Sequence, residues 1–247
     1  MEAREKAFPV QFKGFQSVSL LDYPGKIAAI VFTGGCNFRC PFCHNRDLVL
    51  NRELKSIEED EILNYLMEKK AWLDGLVVSG GEPTIQAGLP RFLEKVKNLG
   101  YFVKIDTNGS NPGMLEELIE RKLVDYIAMD VKAPLRSDAY LKAIGIEDER
   151  VLKNVERSID LLLNSNGIDY EFRTTFVPKI LREEDILPIA ERIKGAKKYF
   201  IQQFRPADSL IDPSFAEVKP LPLDRLEKLR DEVAGYFKIC KVRGARK

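Results

Sequence analysis

The chain has 247 residues, 45% apolar and 31% charged, and its 39 basic and 38 acidic side chains leave a formal charge of +1. That near-balance excludes a strong global field, and with it the electrostatic grounds for expecting nucleic acid or a membrane surface as partner. No run approaches the roughly 20 continuous apolar residues of a membrane span, and residues 1–6 lack the apolar centre of a secretion signal, so a cytoplasmic protein is expected.

Phe8 to Asp22 alternates loosely through Val10, Phe12, Phe15, Val18 and Leu20, which predicts a short hairpin. Asp22-Tyr23-Pro24-Gly25 is a turn by composition. Lys26 to Thr33 is almost continuously apolar, as a strand covered on both faces reads. Ser56, with Glu59 three residues on, predicts a capped helix start, and Ile57, Ile62, Leu63, Leu66 and Met67 follow helical spacing. The pattern then repeats. Strands are expected at Leu76–Val78, Tyr101–Ile105, Asp125–Met129, Tyr170–Val177 and Tyr199–Phe204. Helices are expected at about Pro90–Leu99, Pro112–Arg121, Arg150–Leu163, Glu183–Ile193 and Leu223–Tyr236, with a last short strand in Lys238–Val242.

Counted from Lys26, these are six β/α units, and short right-handed crossovers make their strands parallel. The expectation is an α/β fold, a partial (β/α)6 TIM-like barrel. It forms one domain over 1–247: an N-terminal hairpin at 1–25, the core at 26–205 and a C-terminal helix and strand extension at 206–247.

Three of the four cysteines fall in the loop after the first core strand, as Cys36, Cys40 and Cys43, with the single histidine, His44, directly behind them. Chemistry in parallel α/β folds collects on loops at the carboxyl ends of strands. Thiolates are the ligands of iron–sulfur clusters and zinc. Three on a four-iron cluster leave one iron open, as a catalytic centre needs, whereas three with His44 make a saturated zinc site. A disulfide suits a reducing compartment poorly. Cys240 stands far along the chain and reads as a small buried hydrophobe.

The ends of the later strands carry further candidates. Gly80-Gly81-Glu82 is either a plain turn or a place where a ligand approaches the backbone closely. Asp106-Thr107-Asn108 reads as a turn and helix start. Asp130 and Lys132 share a face of an extended chain and form an ion pair or a ligand contact. Arg173 is a structural ion-pair partner or a bidentate carboxylate binder.

The C-x3-C-x2-C spacing, with Phe42 before its third cysteine, resembles the signature of the radical S-adenosylmethionine (SAM) superfamily. The ending Cys43-His44-Asn45-Arg46-Asp47 is similar to the activating enzymes of glycyl radical enzymes. Asp22-Tyr23-Pro24-Gly25-Lys26 and the run into Gly34-Gly35-Cys36 resemble the anaerobic ribonucleoside-triphosphate reductase activating proteins. The likeness extends to about residue 205. It implies a 4Fe–4S cluster on Cys36, Cys40 and Cys43, with SAM on the open iron, reduced by a donor such as flavodoxin or ferredoxin. Reductive cleavage would yield a 5′-deoxyadenosyl radical that takes hydrogen from a glycine of anaerobic ribonucleotide reductase. It further implies that Gly80-Gly81-Glu82 is the motif that binds the SAM ammonium, with Glu82 nearby, that Arg173 binds the SAM carboxylate and that Lys132 reaches its carboxylate or ribose. Phe42 and Asn45 would belong to the cofactor pocket. Asp106, Thr107 and Asp130 match a monovalent-cation and SAM site of pyruvate formate-lyase activating enzyme.

Where that enzyme carries a histidine after the sixth strand, this chain has Gln202-Gln203, which leaves Gln203 as the adenine or ribose contact. His44 is expected to support the loop. The Asp22–Lys26 loop is expected at the mouth of the active site, as a docking surface. Activation of another glycyl radical enzyme, radical chemistry on a small molecule, and a non-catalytic zinc adaptor remain the alternatives.

Overall fold

The computed structural model describes residues 9–50 and 54–244, so the expectations for residues 1–6 and for Phe8 lie outside the described residues. Its eight strands follow one another in chain order, β1 to β8. The chain divides into two compact units, the first holding residues 9–37, 47–50, 54–107 and 113–127 and the second 38–46, 108–112 and 128–244.

In the first unit β1 (Phe12–Ser19) runs antiparallel to β2 (Ala28–Thr33), with Phe12 opposite Thr33 and Ser19 opposite Ala28. The expected hairpin is thus one strand whose partner is β2 itself. β3 (Gly75–Gly80) and β4 (Phe102–Thr107) add in parallel, Ala28 opposite Gly75 and Gly75 opposite Phe102. Ala28, Ala29, Val31, Leu76, Val77 and Val78 are fully buried, which is why these strands read as apolar runs without alternation.

That pairing overturns one expectation. Since Ser19 pairs with Ala28, the Asp22–Lys26 turn joins the amino end of β2, whereas Gly34-Gly35-Cys36 leave its carboxyl end. At about 3.3 Å per residue the strand keeps them roughly 15–20 Å apart. The turn belongs with Phe102 at the start of β4, over whose ring Lys26 Nζ lies at 3.6 Å.

A short helix, α1 (Arg46–Val49), which the sequence did not announce, follows the cysteine loop. The next helix, α2 (Glu59–Glu68), starts later than the capping box predicts, with Glu58 at its N-cap. Ile57 bridges to Phe12 instead, and Ser56 Oγ accepts a hydrogen bond from Lys13 Nζ at 2.9 Å. Glu59, Asp60 and Glu61 in the first turn meet the positive end of the helix dipole in place of the cap. Next, α3 (Leu89–Asn98) buries Phe92, Leu93 and Val96, with the Phe92 ring 4.7 Å from that of Phe12. The fourth helix, α4 (Pro112–Glu120), adds the buried Leu115 and Leu118.

The strand β5 (Tyr126–Asp130) passes from one unit to the other after Ile127. In the second unit β6 (Asp169–Phe176), β7 (Lys198–Gln203) and β8 (Ile239–Arg243) are parallel, with Phe172 opposite Tyr199 and Lys198 opposite Ile239. The helices here are α5 (Ser137–Ile144), α6 (Arg150–Leu163), α7 (Ile186–Arg192) and α8 (Leu223–Val233). The predicted bounds of α6 are the observed ones. The predicted start of α7 and end of α8 are instead 3-10 turns, Glu183–Asp185 and Ala234–Tyr236. Sequence periodicity gave no sign of α5, two turns long with Tyr140, Ala143 and Ile144 buried. Its end steadies the cysteine loop. Gly145 takes φ +65° where a Cβ would stand 2.3 Å from the Arg39 carbonyl oxygen, and the Arg39 amide donates to Ile144 O at 2.7 Å. Among the described residues no helix is long and apolar enough to cross a membrane.

Phe92 is fully buried against Phe12, whereas Trp72 is 77% exposed. In urea unfolding, Phe92→Ala is expected to cost about 3–5 kcal/mol, and Trp72→Ala no more than about 0.5 kcal/mol.

Candidate functional site

In the first unit the main chains at the carboxyl ends of β2 and β3 come into contact. Gly80 adopts φ +116°, and a Cβ there would stand 2.4 Å from the Thr33 amide nitrogen; at Gly81 it would stand 1.8 Å from the Gly35 carbonyl oxygen. The Gly81 amide donates to Thr33 O and the Glu82 amide to Gly35 O, both at 2.9 Å. The glycine pair is therefore demanded by the approach of two backbones, before any ligand is considered. Its effect is to fix the segment leading into Cys36. Gly34 and Gly35 also donate to Gln11 O and Leu48 O, and Gln86 Nε2 donates to Gly34 O.

Glu82, 1% exposed, turns inward. Its Oε1 accepts from the Thr84 amide (3.0 Å), the Thr84 hydroxyl (2.5 Å) and the Thr107 hydroxyl (2.8 Å). Asp106 accepts the Ser79 hydroxyl on Oδ2 at 3.0 Å and the Lys104 ammonium on Oδ1 at 2.5 Å. Sequence reasoning missed Lys104. Its signal was the i, i+2 spacing to Asp106, since residues two apart share a strand face.

The second unit contains a cavity of about 590 Å³. Cys40, Phe42, Cys43, His44 and Asn45 form one wall, Asp130 ends β5 with Lys132 two residues on, and Gln202 and Gln203 end β7. Asp130 is the electrostatic centre: Oδ2 accepts Lys132 Nζ at 2.6 Å and Oδ1 accepts Arg173 Nε at 2.7 Å. Arg173 is itself anchored, its carbonyl accepting the Val131 amide while Thr174 Oγ1 donates to Val131 O. Burial opposes charge on Lys132, but Asp130 and the thiols of Cys40 and Cys43 outweigh it and hold its pKa above the ordinary lysine value. Burial pushes the Cys43 thiol up, with an Asn45 hydrogen bond and the Lys132 charge acting the other way. A cation beside two thiols favours their thiolate forms.

His44 donates from Nε2 to the Arg205 carbonyl at 2.7 Å, since a carbonyl can only accept. It ties the cysteine loop to the segment after β7, the supporting part expected of it. Gln203 spends one donor on Leu221 O at 2.9 Å. Four cavity residues had no local sequence signal: Thr175, Arg205, Arg243 and Gly244. Arg243 reaches the cavity because β8 lies beside β7; there its guanidinium pairs with the buried Glu171 and stacks on Phe200 at 3.3 Å.

Of the predicted residues, Cys40, Phe42, Cys43, Asn45, Asp130, Lys132 and Gln203 thus share one cavity, with Arg173 held on Asp130. Cys36, Gly80, Gly81, Glu82, Asp106 and Thr107 belong to the carboxyl ends of β2, β3 and β4 in the first unit. All four cysteines are free thiols. Among the described residues no three His, Cys, Asp or Glu side chains form a ready metal cage. Cys240 lies apart, half-buried, its sulfur 3.9 Å from Arg230 O and its pKa pushed up to about 11 by burial. Soft thiols beside a lysine suit an iron–sulfur cluster. A monovalent cation finds no such fit, because Asp106 already carries Lys104 and Asp130 carries both Lys132 and Arg173.

The sequence profile described as the radical SAM superfamily matches residues 30–193. The chain belongs to the radical SAM superfamily. A Methanocaldococcus jannaschii protein named as a glycyl-radical enzyme activating enzyme is 40% identical over 220 residues, 88% of each chain. The pyruvate formate-lyase-activating enzyme of Clostridium pasteurianum is 30% identical over 191 residues, 74% of this chain and 75% of its own. These similarities place this radical SAM chain in the oxidoreductase-type group that activates glycyl radical enzymes, and the superfamily uses a 4Fe–4S cluster and SAM. Among solved structures, Streptococcus suis SuiB bound to precursor peptide SuiA superposes with a TM-score of 0.65 at 16% identity, over 88% of this chain and 48% of SuiB. This chain spans about half the length of SuiB. TYW1 with a lysine-pyruvate adduct gives a TM-score of 0.59 at 16% identity, over 84% and 73%. The fold is therefore the partial TIM-barrel-like α/β fold of radical SAM enzymes, as the strand count predicts.

A methyl group at position 81 meets main chain, which gives way only at greater cost than a flexible side chain. Gly81→Ala is expected to lower unfolding free energy by about 2 kcal/mol or more and to lower iron content after anaerobic reconstitution, by displacing Gly35 and Cys36.

Proposed function

We propose that this chain acts as one radical SAM domain and activates an anaerobic ribonucleoside-triphosphate reductase by generating its glycyl radical. When bound, the cluster and SAM supply one-electron cleavage and hydrogen-atom abstraction; the protein supplies position and exclusion of water. In this reading Cys36, Cys40 and Cys43 hold the cluster as thiolates, and the Lys132 ammonium favours that ionisation at the cavity wall. Backbone groups of Gly80 and Gly81, with Glu82 behind them, meet the SAM amino group. Arg173 and Lys132, aligned by Asp130, meet its carboxylate or ribose. Phe42, Asn45 and Gln203 face the nucleoside, with Asp106 and Thr107 shaping the loop after β4. The reading also implies a reducing, cytoplasmic setting and a low-potential donor such as flavodoxin or ferredoxin.

The end of β7 carries the choice of partner. Where the resemblance to pyruvate formate-lyase activating enzymes calls for a histidine, Gln202 and Gln203 line the cavity, and Gln203 is anchored to Leu221. The second reading, activation of a pyruvate formate-lyase-type enzyme, is favoured by the 30% identity to the Clostridium pasteurianum protein.

Anaerobic incubation with SAM, dithionite and either partner separates the two readings by electron paramagnetic resonance. A glycyl-radical doublet is expected on the reductase and none on pyruvate formate-lyase; the reverse pattern establishes the second reading. Cys40→Ala and Cys43→Ala are expected to lose most of their iron on metal analysis. His44→Ala is expected to keep its iron, whereas a zinc site built on that imidazole would lose bound metal in the same variant.

A further inference from the structure

Lys104 stands inside β4, 3% exposed, where an ammonium persists only if it is paired. Its Nζ is in contact with Asp106 Oδ1 at 2.5 Å, and Ser79 covers Oδ2. Asp106 is the residue that resemblance assigns, with Thr107 and Asp130, to a monovalent cation. A potassium or sodium ion entering there would have to expel a buried group of the same charge, and an alkylammonium has nearly the radius of potassium. The other two candidates for such a site are engaged as well. The Thr107 hydroxyl donates to Glu82, and Asp130 is shared by Lys132 and Arg173.

We propose that Lys104 is a built-in counter-ion: its ammonium does at Asp106 what a bound monovalent ion would do, so this chain binds SAM without one. It is a positioning residue that acts through Asp106. A tethered ammonium is present at full occupancy whatever the salt, whereas a free ion is subject to mass action. The part of this inference that concerns SAM rests on the site reading given under Proposed function; the part that concerns the ion does not.

Two measurements on the anaerobically reconstituted protein test it. The first is thallium-205 NMR, with Tl+ as the probe for potassium. Wild type is expected to show no saturable, potassium-competed Tl+ site. Lys104→Met is expected to gain one, and Lys104→Met with Asp106→Asn to lose it again. A saturable site in wild type that Asp106→Asn abolishes overturns the proposal, as does a folded Lys104→Met that gains no site. The second is SAM affinity by equilibrium dialysis in potassium chloride and in choline chloride at equal ionic strength. Wild type is expected to change by less than about twofold, and Lys104→Met to weaken about tenfold in choline and recover in potassium, the size of an ordinary coupling between two sites. A tenfold loss by wild type in choline overturns the proposal. Wild-type protein that binds no SAM in either salt overturns the site reading instead, and the Tl+ titration then decides Lys104 alone. The wild-type measurements stand whether or not the variant folds.

Discussion

An ionised carboxylate withdrawn from water must be met by opposite charge or by several donors, and the described chemistry is arranged around that requirement. Glu82 gathers three donors on one oxygen. Asp106 holds Lys104, Asp130 holds Lys132 and Arg173, and Glu171 holds Arg243. Removing one member of such a part-buried pair leaves the other incompletely compensated, at a cost below the roughly 3–5 kcal/mol of a fully buried pair. These groups are therefore fixed in place before a ligand arrives. Preorganisation of this kind spares the reorganisation that water would demand while charge moves.

Asp130 shows how a structural and a functional reading coexist. An ion pair and a ligand contact stood as rivals for Asp130, Lys132 and Arg173 in the sequence, and the pairing is there in the structure. It holds Lys132 on the wall of the cavity that also contains Cys40 and Cys43. Its charge acts against the burial that pushes the Cys43 thiol up, in the direction of the thiolate that iron requires.

What the sequence revealed follows the range of the forces involved. Strands buried on both faces, such as Ala28–Thr33 and Gly75–Gly80, announce themselves as apolar runs, and α6 announces itself by a buried stripe over fourteen residues. Short elements with little periodicity, α1 and α5, did not. The capping box at Ser56 is a local pattern overridden by a long-range one, the pairing of Ile57 with Phe12. The Asp22–Lys26 turn was legible as a turn, but its place at the amino end of β2 depends on the direction in which β1 pairs, which no residue in the turn encodes. The cysteine loop after β2, and the polar residues within or just past β3, β4, β5 and β6, were legible because each stands in or beside a recognisable strand. Arg243 was not, since its place depends on β8 aligning with β7.

The contact between Gly81 and the Gly35 carbonyl joins two stretches of main chain, so its clearance does not depend on which side chains surround it. A genetic selection starting from alanine at this position is accordingly expected to favour true revertants over second-site suppressors, because the clash is between main chains and not with a replaceable side chain. The same clearance makes the loop into Cys36 intolerant of any insertion that lengthens either strand end.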